Sequence, residues 1–405
     1  MTTFNKSNVN PMFKNKFSSD IFELKYKHEG CETWEQLARV LVEDVCGNLR
    51  KGEEPLMRKE ERKELQQYIT DLKFVPGGRY IYYAGRERRF YNNCFLLGAE
   101  EDTREDWANL SWKAESCLMT GGGIGVDYST YRGSGRPLTG SGGEASGPIP
   151  KMEMINAIGA NVIQGGSRRS AMYASLNWQH SDAERFLSAK NWHDMQVGST
   201  GFTFKQIKEQ DFNFRAPLDM TNISLNYDTD WLMNYWKTGD VGDIFRKNVK
   251  QALTTAEPGF SFNFMENEKD TLRNACTEVT SADDSDVCNL GSVNVGNIES
   301  LQELARVVEL GTKFLICGTL RAELPYAKVH EVREKNRRLG LGLMGMHDWL
   351  IKRGEKYEVT PELHKWLAIY KGVSDDISKK FADELSISRP VANRAIAPTG
   401  SISIL

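Results

Sequence analysis

From Asn92 onward the chain alternates two patterns, and this constrains its fold more than any other feature. A short apolar run, "NNCFLLG" (92–98), reads as a strand. It is followed by "EDTREDWANLSWKAESCLM" (101–119), in which Trp107, Leu110, Ala114, Cys117 and Leu118 fall on one helical stripe. Asp102 or Thr103 is placed to cap that helix, and Gly121 to Gly123 are placed to end it. The pattern then repeats: a helix through "PKMEMINAIGANVIQ" stopping at Gly165 and Gly166, a strand "SAMYASLNW", and a helix "DAERFLSAKNW". Further strands are expected at "GFSFNFM" (259–265) and "VCNLGSVNV". Two helices, "LQELARVVELGTKFLICGTL" and "HKWLAIYKGVSDDISKKFADELS", flank the Gly-rich "RRLGLGLMGMHDWL". Strands alternating with helices favour an α/β fold.

Residues 1–75 read differently. "CETWEQLARVLVEDVCGNL" places Trp34, Leu37, Val40, Leu41 and Val45 at helical spacing, and "RKEERKELQQYITDL" continues with a more charged face. "VPGGRYIYYAGRE" reads as a turn and a short strand. The last stretch, "AIAPTGSISIL", looks strand-like. A net charge of −3 gives no basic footprint for nucleic acid. No apolar run is long enough to span a membrane, and the first residues lack the apolar core of a secretory signal. The seven cysteines are scattered, without CxxC or zinc-finger spacing, so the cytosol is the expected compartment and no metal site is expected. Cys46, Cys117 and Cys317 fall in helical apolar patterns and read as core thiols.

One triplet stands out. In "RNACTEV" an amide, a thiol and a carboxylate (Asn274, Cys276 and Glu278) occupy every second position. On an extended segment they point to one side and form a small reaction site; on a polar loop they mean nothing. The "PTGSIS" stretch offers backbone N–H groups and small hydroxyls at Thr399, Gly400, Ser401 and Ser403, suited either to phosphate or to a tight turn. "RRLGLGLMG" resembles a dinucleotide loop only superficially, because the spaced acid is missing.

Taken in order, "NNCF", "GGGIG", "QGGSRRSAM", "NACTE", "CNLGSVN", "RRLGLGLMG" and "APTGSIS" resemble the catalytic subunit of ribonucleotide reductases, nearest to the cobalamin-dependent class II forms and related class I chains. The resemblance runs from about Phe74 to Leu405. It implies a ten-stranded α/β barrel over residues 76–405 with a central finger loop, preceded by a helical region (1–75) and without an ATP-cone. It implies that Cys276 forms a thiyl radical, that Glu278 is the general base, and that Asn274 holds the substrate hydroxyls. Cys94 and Cys288 match the pair that closes to a disulfide as the 2′-hydroxyl leaves. The second cysteine of that pair argues against the glycyl-radical class. "PTGSIS" becomes the substrate phosphate cradle, with Ser146 adding a hydroxyl. Asp102, Arg132, Arg136, Arg168 and Arg169 match an effector site for a deoxynucleoside triphosphate or ATP, in an effector-promoted homodimer.

The radical source implied is adenosylcobalamin or a separate ferritin-like dimetal subunit, and the reductant is of the thioredoxin or glutaredoxin type. Two departures stand against the family pattern. NPCGE is NACTE here, and the Gly after the paired arginines is Ser170. The alternative is a non-catalytic nucleotide-binding fragment, or one part of a split reductase that needs a second polypeptide.

Overall fold

The computed structural model describes residue 13, residues 15–162 and residues 170–405. Its strands are β1 (Phe74–Pro76), β2 (Cys94–Gly98), β3 (Gly123–Asp127), β4 (Met172–Asn177), β5 (Thr221–Tyr227), β6 (Gly259–Phe262), β7 (Leu272–Arg273), β8 (Thr280–Ser281), β9 (Asp286–Asn294) and β10 (Leu339–Met344). The chain divides into two compact units, residues 94–286 and residues 1–93 with 287–405.

In the unit of residues 94–286, β2, β3, β4, β5 and β6 lie side by side, all parallel. Strands joined by helical crossovers are buried on both faces and read as continuous apolar runs. Cys94 to Gly98 and Gly123 to Asp127 are buried throughout. The helix Arg104–Met119 connects β2 to β3, and its predicted stripe is buried. Thr103 is its cap, accepting the Asp106 N–H at 3.2 Å. The helix Pro148–Asn161 ends before the glycines expected to stop it, and residues 163–169 lie outside the described set. The antiparallel pair β7–β8 forms a separate hairpin.

In the other unit, β1 pairs antiparallel and β10 parallel with β9. The helices Lys16–Lys25, Trp34–Val45 and Lys59–Thr70 occur where a helical region was expected. Trp34, Leu37, Leu41 and Val45 share one core with Phe314, Leu315 and Trp366 of the helices Leu301–Arg321 and Pro361–Glu384.

Three local expectations change. "RYIYY" is the helix Gly78–Tyr83 rather than a strand. Its Tyr80 stacks on Tyr91 with ring centroids 4.7 Å apart, so packing overrides the β preference of aromatics. The Gly-rich "LGLGLM" is β10, whose period-two alternation buries Leu339 and Leu341. The final stretch is a turn rather than a strand, with Ser403 N–H donating to Thr399 O at 2.9 Å and Thr399 at φ +50°. Among the described residues no helix is long and apolar enough to cross a membrane.

Candidate active site

The "NACTEV" segment is the tip of the β7–β8 hairpin, and it turns rather than running extended. Thr277 N–H donates to Asn274 O at 3.0 Å, and Asn274 N–H to Val279 O at 3.3 Å. The Asn274 side-chain oxygen accepts the Val279 N–H at 3.1 Å. Such a turn ends on a left-handed residue, usually glycine. Here it is Thr277, at φ +69°, a position that costs a β-branched residue on the order of 1–3 kcal/mol.

The hairpin lies on a bed of glycines. A Cβ on Gly123 would stand 2.8 Å from the Ala275 Cβ. One on Gly125 would overlap the Arg273 carbonyl oxygen and stand 3.1 Å from the Asn274 carbonyl carbon. The "GGGIG" run is thus the floor on which the finger backbone rests. Behind it, Asp284 accepts from Gly98 N–H at 2.9 Å and from Lys113 Nζ at 2.8 Å, all buried, which pins the returning chain.

Four of the sequence-derived residues meet here. Asn274 is fully buried, yet its Nδ2 has no hydrogen-bond partner. Both oxygens of the largely buried Glu278 are likewise without one. Buried polar atoms left this way mark a place for a ligand's own hydroxyls. Burial raises the Glu278 pKa above the ordinary carboxylate value, and the Asn274 amide and a backbone N–H, near it but outside hydrogen-bonding geometry, only partly pull it back. Cys276 is the exposed cysteine of the seven, and the other six are buried. The Cys94 thiol pairs with Cys276, and this contact together with burial pushes its pKa well up; the nearby charges of Cys276 and Glu278 add to it. At ordinary pH the Cys94 thiol stays protonated. The turn therefore gathers the groups that an extended strand was expected to gather.

Cys288 lies in the other unit, buried on β9, with its Sγ donating to Asn289 O at 3.4 Å. Gly340 of β10 leaves room for it, since a Cβ there would stand 2.9 Å from the sulfur. In the same unit the Thr399–Ser403 turn presents its hydroxyls beside an ammonium that sequence reading missed. Lys25 Nζ donates to Ser401 Oγ at 3.0 Å, from a helix more than 370 residues away in the chain.

The effector candidates are partly assembled. Asp102 accepts from Trp107 Nε1 at 3.1 Å and from Arg132 Nε at 2.6 Å, so Arg132 holds the acid rather than standing open. Arg136 and Ser146 are exposed on the Gly-rich loop. Arg168 and Arg169 lie outside the described residues, and Ser170 Oγ donates to Val162 O at 3.3 Å.

Comparison with known proteins gives a family match. Residues 92–366 match the family model described as ribonucleotide reductase, barrel domain. A vitamin B12-dependent ribonucleoside-diphosphate reductase of Thermoplasma acidophilum is 26% identical over 379 residues, covering 84% of this chain and 48% of the relative. A putative adenosylcobalamin-dependent ribonucleoside-triphosphate reductase of Mycobacterium phage D29 is 27% identical, covering 68% and 44%. A ribonucleoside-diphosphate reductase subunit alpha of Synechocystis is 24% identical, covering 72% and 42%. The chain spans about half the length of the curated relatives it matches. With a parallel sheet floored by glycine, a finger hairpin carrying Asn274, Cys276 and Glu278, and a family match from 92 to 366, the chain belongs to the ribonucleotide reductase family.

Proposed function

We propose that the chain forms the catalytic part of a ribonucleotide reductase that converts ribonucleoside di- or triphosphates to deoxyribonucleotides. The observation that carries this reading is the meeting of Cys276, Cys94 and two unsatisfied buried groups, the Asn274 amide and the Glu278 carboxylate. Asn274 Nδ2 donates to a substrate hydroxyl. The Cys276 thiyl takes the 3′ hydrogen, and Glu278 takes the 3′-hydroxyl proton. Cys94 and Cys288 then supply two electrons and two protons: one proton leaves with the 2′-hydroxyl as water, the other hydrogen ends on the 2′ carbon, the sulfurs join in a disulfide, Glu278 returns its proton to the 3′ oxygen, and Cys276 returns its hydrogen to the 3′ carbon. Adenosylcobalamin, or a separate ferritin-like dimetal subunit, supplies the unpaired electron. Cys276 suits either source because it is the exposed thiol. A thioredoxin- or glutaredoxin-type protein reopens the disulfide.

The Thr399, Gly400, Ser401 and Ser403 turn holds the substrate phosphates with Lys25 beside it, and Ser146 adds a hydroxyl. Asp102, Arg132, Arg136, Arg168 and Arg169 take a deoxynucleoside triphosphate or ATP that promotes a homodimer and sets which base is reduced. A second reading is that turnover needs a second polypeptide.

The test is deoxynucleotide formation from CDP or CTP, with ATP or dATP and dithiothreitol, with and without adenosylcobalamin. Product only with cobalamin supports a cobalamin reductase. Product that appears only on adding a ferritin-like subunit or a second polypeptide supports the alternatives. No product in any combination sinks the reading. In the active combination, Cys94→Ser and Cys288→Ser should each stop multiple turnover; either variant cycling normally removes the redox pair.

Because Glu278 acts as a base, it must be ionised. Its raised pKa therefore places the acid limb of kcat/KM above the ordinary carboxylate range, with activity rising as pH rises through it. Glu278→Gln should remove that limb, and a pH profile of kcat/KM measures both.

A further inference from the structure

Arg273 immediately precedes the Asn-x-Cys-x-Glu triplet, and its guanidinium spans two elements. Nε donates to Ser261 Oγ, and Nη2 donates to Phe262 O and to Asn263 Oδ1, each at 3.3 Å. All three acceptors lie at the end of β6. Nη1 donates to the carbonyl oxygen of Thr277 at 3.4 Å. Each of these acceptors is uncharged, although the side chain is largely removed from solvent, and burial lowers the pKa of the guanidinium. Charge-assisted hydrogen bonds are roughly twice as strong as neutral ones, which suits a cation to gripping backbone carbonyls.

The residue it grips is the strained one. A β-branched residue at φ +69° persists only where its surroundings hold it. The turn's own hydrogen bonds, from Thr277 N–H and Val279 N–H to Asn274, close the loop on itself. The Arg273 bond to Thr277 O fastens the same loop to the sheet.

We propose that Arg273 is a positioning residue: by tying the Thr277 carbonyl to the end of β6, it holds the left-handed turn and so fixes Cys276 and Glu278 against Cys94. The proposal rests on reading Cys276 and Glu278 as the reacting pair.

The test has a structural arm and a kinetic arm. Hydrogen exchange on the chain alone should show the Val279 amide about tenfold or more faster in Arg273→Gln, with Arg273→Lys intermediate and amides of β4 and β5 unchanged. In the turnover-competent enzyme, Arg273→Gln should lower kcat by about tenfold or more while KM for CDP stays within about twofold, because the loss is in placement rather than binding. Glycine adopts a positive φ without strain, so Thr277→Gly should recover part of that loss in the double variant. Val279 exchange within about twofold of wild type in both Arg273 variants would overturn the proposal. Equal kcat losses from Arg273→Gln with and without Thr277→Gly would overturn it too. If instead Cys276→Ser still turned over, the reacting-pair reading would fail, and faster Val279 exchange would still establish the clamp.

Discussion

Cys276→Ser is expected to abolish deoxynucleotide formation, a loss on the order of 10⁴-fold or more, since no other group in the site replaces a thiyl. Serine is nearly isosteric, and position 276 is exposed, so the thermal unfolding midpoint and effector binding should match wild type. The hydroxyl O–H bond is too strong to yield a hydrogen-abstracting radical under the same conditions. The decisive comparison is single-turnover product with substrate and effector saturating. Substantial product from the serine variant would take the radical role away from Cys276 and leave the hairpin as scaffold.

The second large effect is expected at a residue that touches no substrate. In Gly125→Ala the added methyl would overlap the Arg273 carbonyl oxygen and crowd the Arg273 carbonyl carbon, at 2.8 Å. The obstacle is backbone, which has no rotamer to escape into. Either β3 shifts, at roughly 1–3 kcal/mol for overpacking, or the hairpin lifts. A displacement of about 1 Å at the reacting atoms costs about 100-fold in rate. Thermal melts and turnover measured together separate the two responses. Gly372→Ala is the control: nothing lies within 4 Å of a Cβ there, inside the helix Pro361–Glu384, and a gain of about 0.5–1 kcal/mol is expected. Normal turnover and normal stability in Gly125→Ala would mean that the finger does not rest on β3 as described.

The residue types of the site were legible in the sequence, but its supports were less so. The stripe from Trp107 to Leu118 and the Asn274, Cys276, Glu278 spacing are local patterns, visible within a few turns of chain. Why Gly123 and Gly125 are glycine is not local, because the crowding atoms belong largely to Arg273 and Ala275, some 150 residues on. β10 carried a clean Leu–Gly alternation, yet its glycines looked like loop. A Cβ on Gly340 would meet the Leu290 side chain and the Cys288 sulfur, and one on Gly342 would meet the Ala395 carbonyl oxygen. The same holds for Lys25 beside Ser401 and for Arg132 on Asp102, where tertiary partners, not spacing, decide what a charged side chain does. The left-handed Thr277 contradicts propensity outright, as expected where a functional loop overrides local preference.

That one thiol of the seven is exposed has a chemical cost for the organism that makes this protein. If Cys276 meets a ribose as proposed, the same exposure admits peroxide and soft electrophiles, while the six enclosed sulfurs are sheltered by packing. Oxidative damage and covalent inhibitors should therefore converge on a single atom, Cys276 Sγ, and a bound nucleotide becomes its shield. On the proposed reading the substrate-free protein is the vulnerable one, and a filled site would protect this thiol as well as use it.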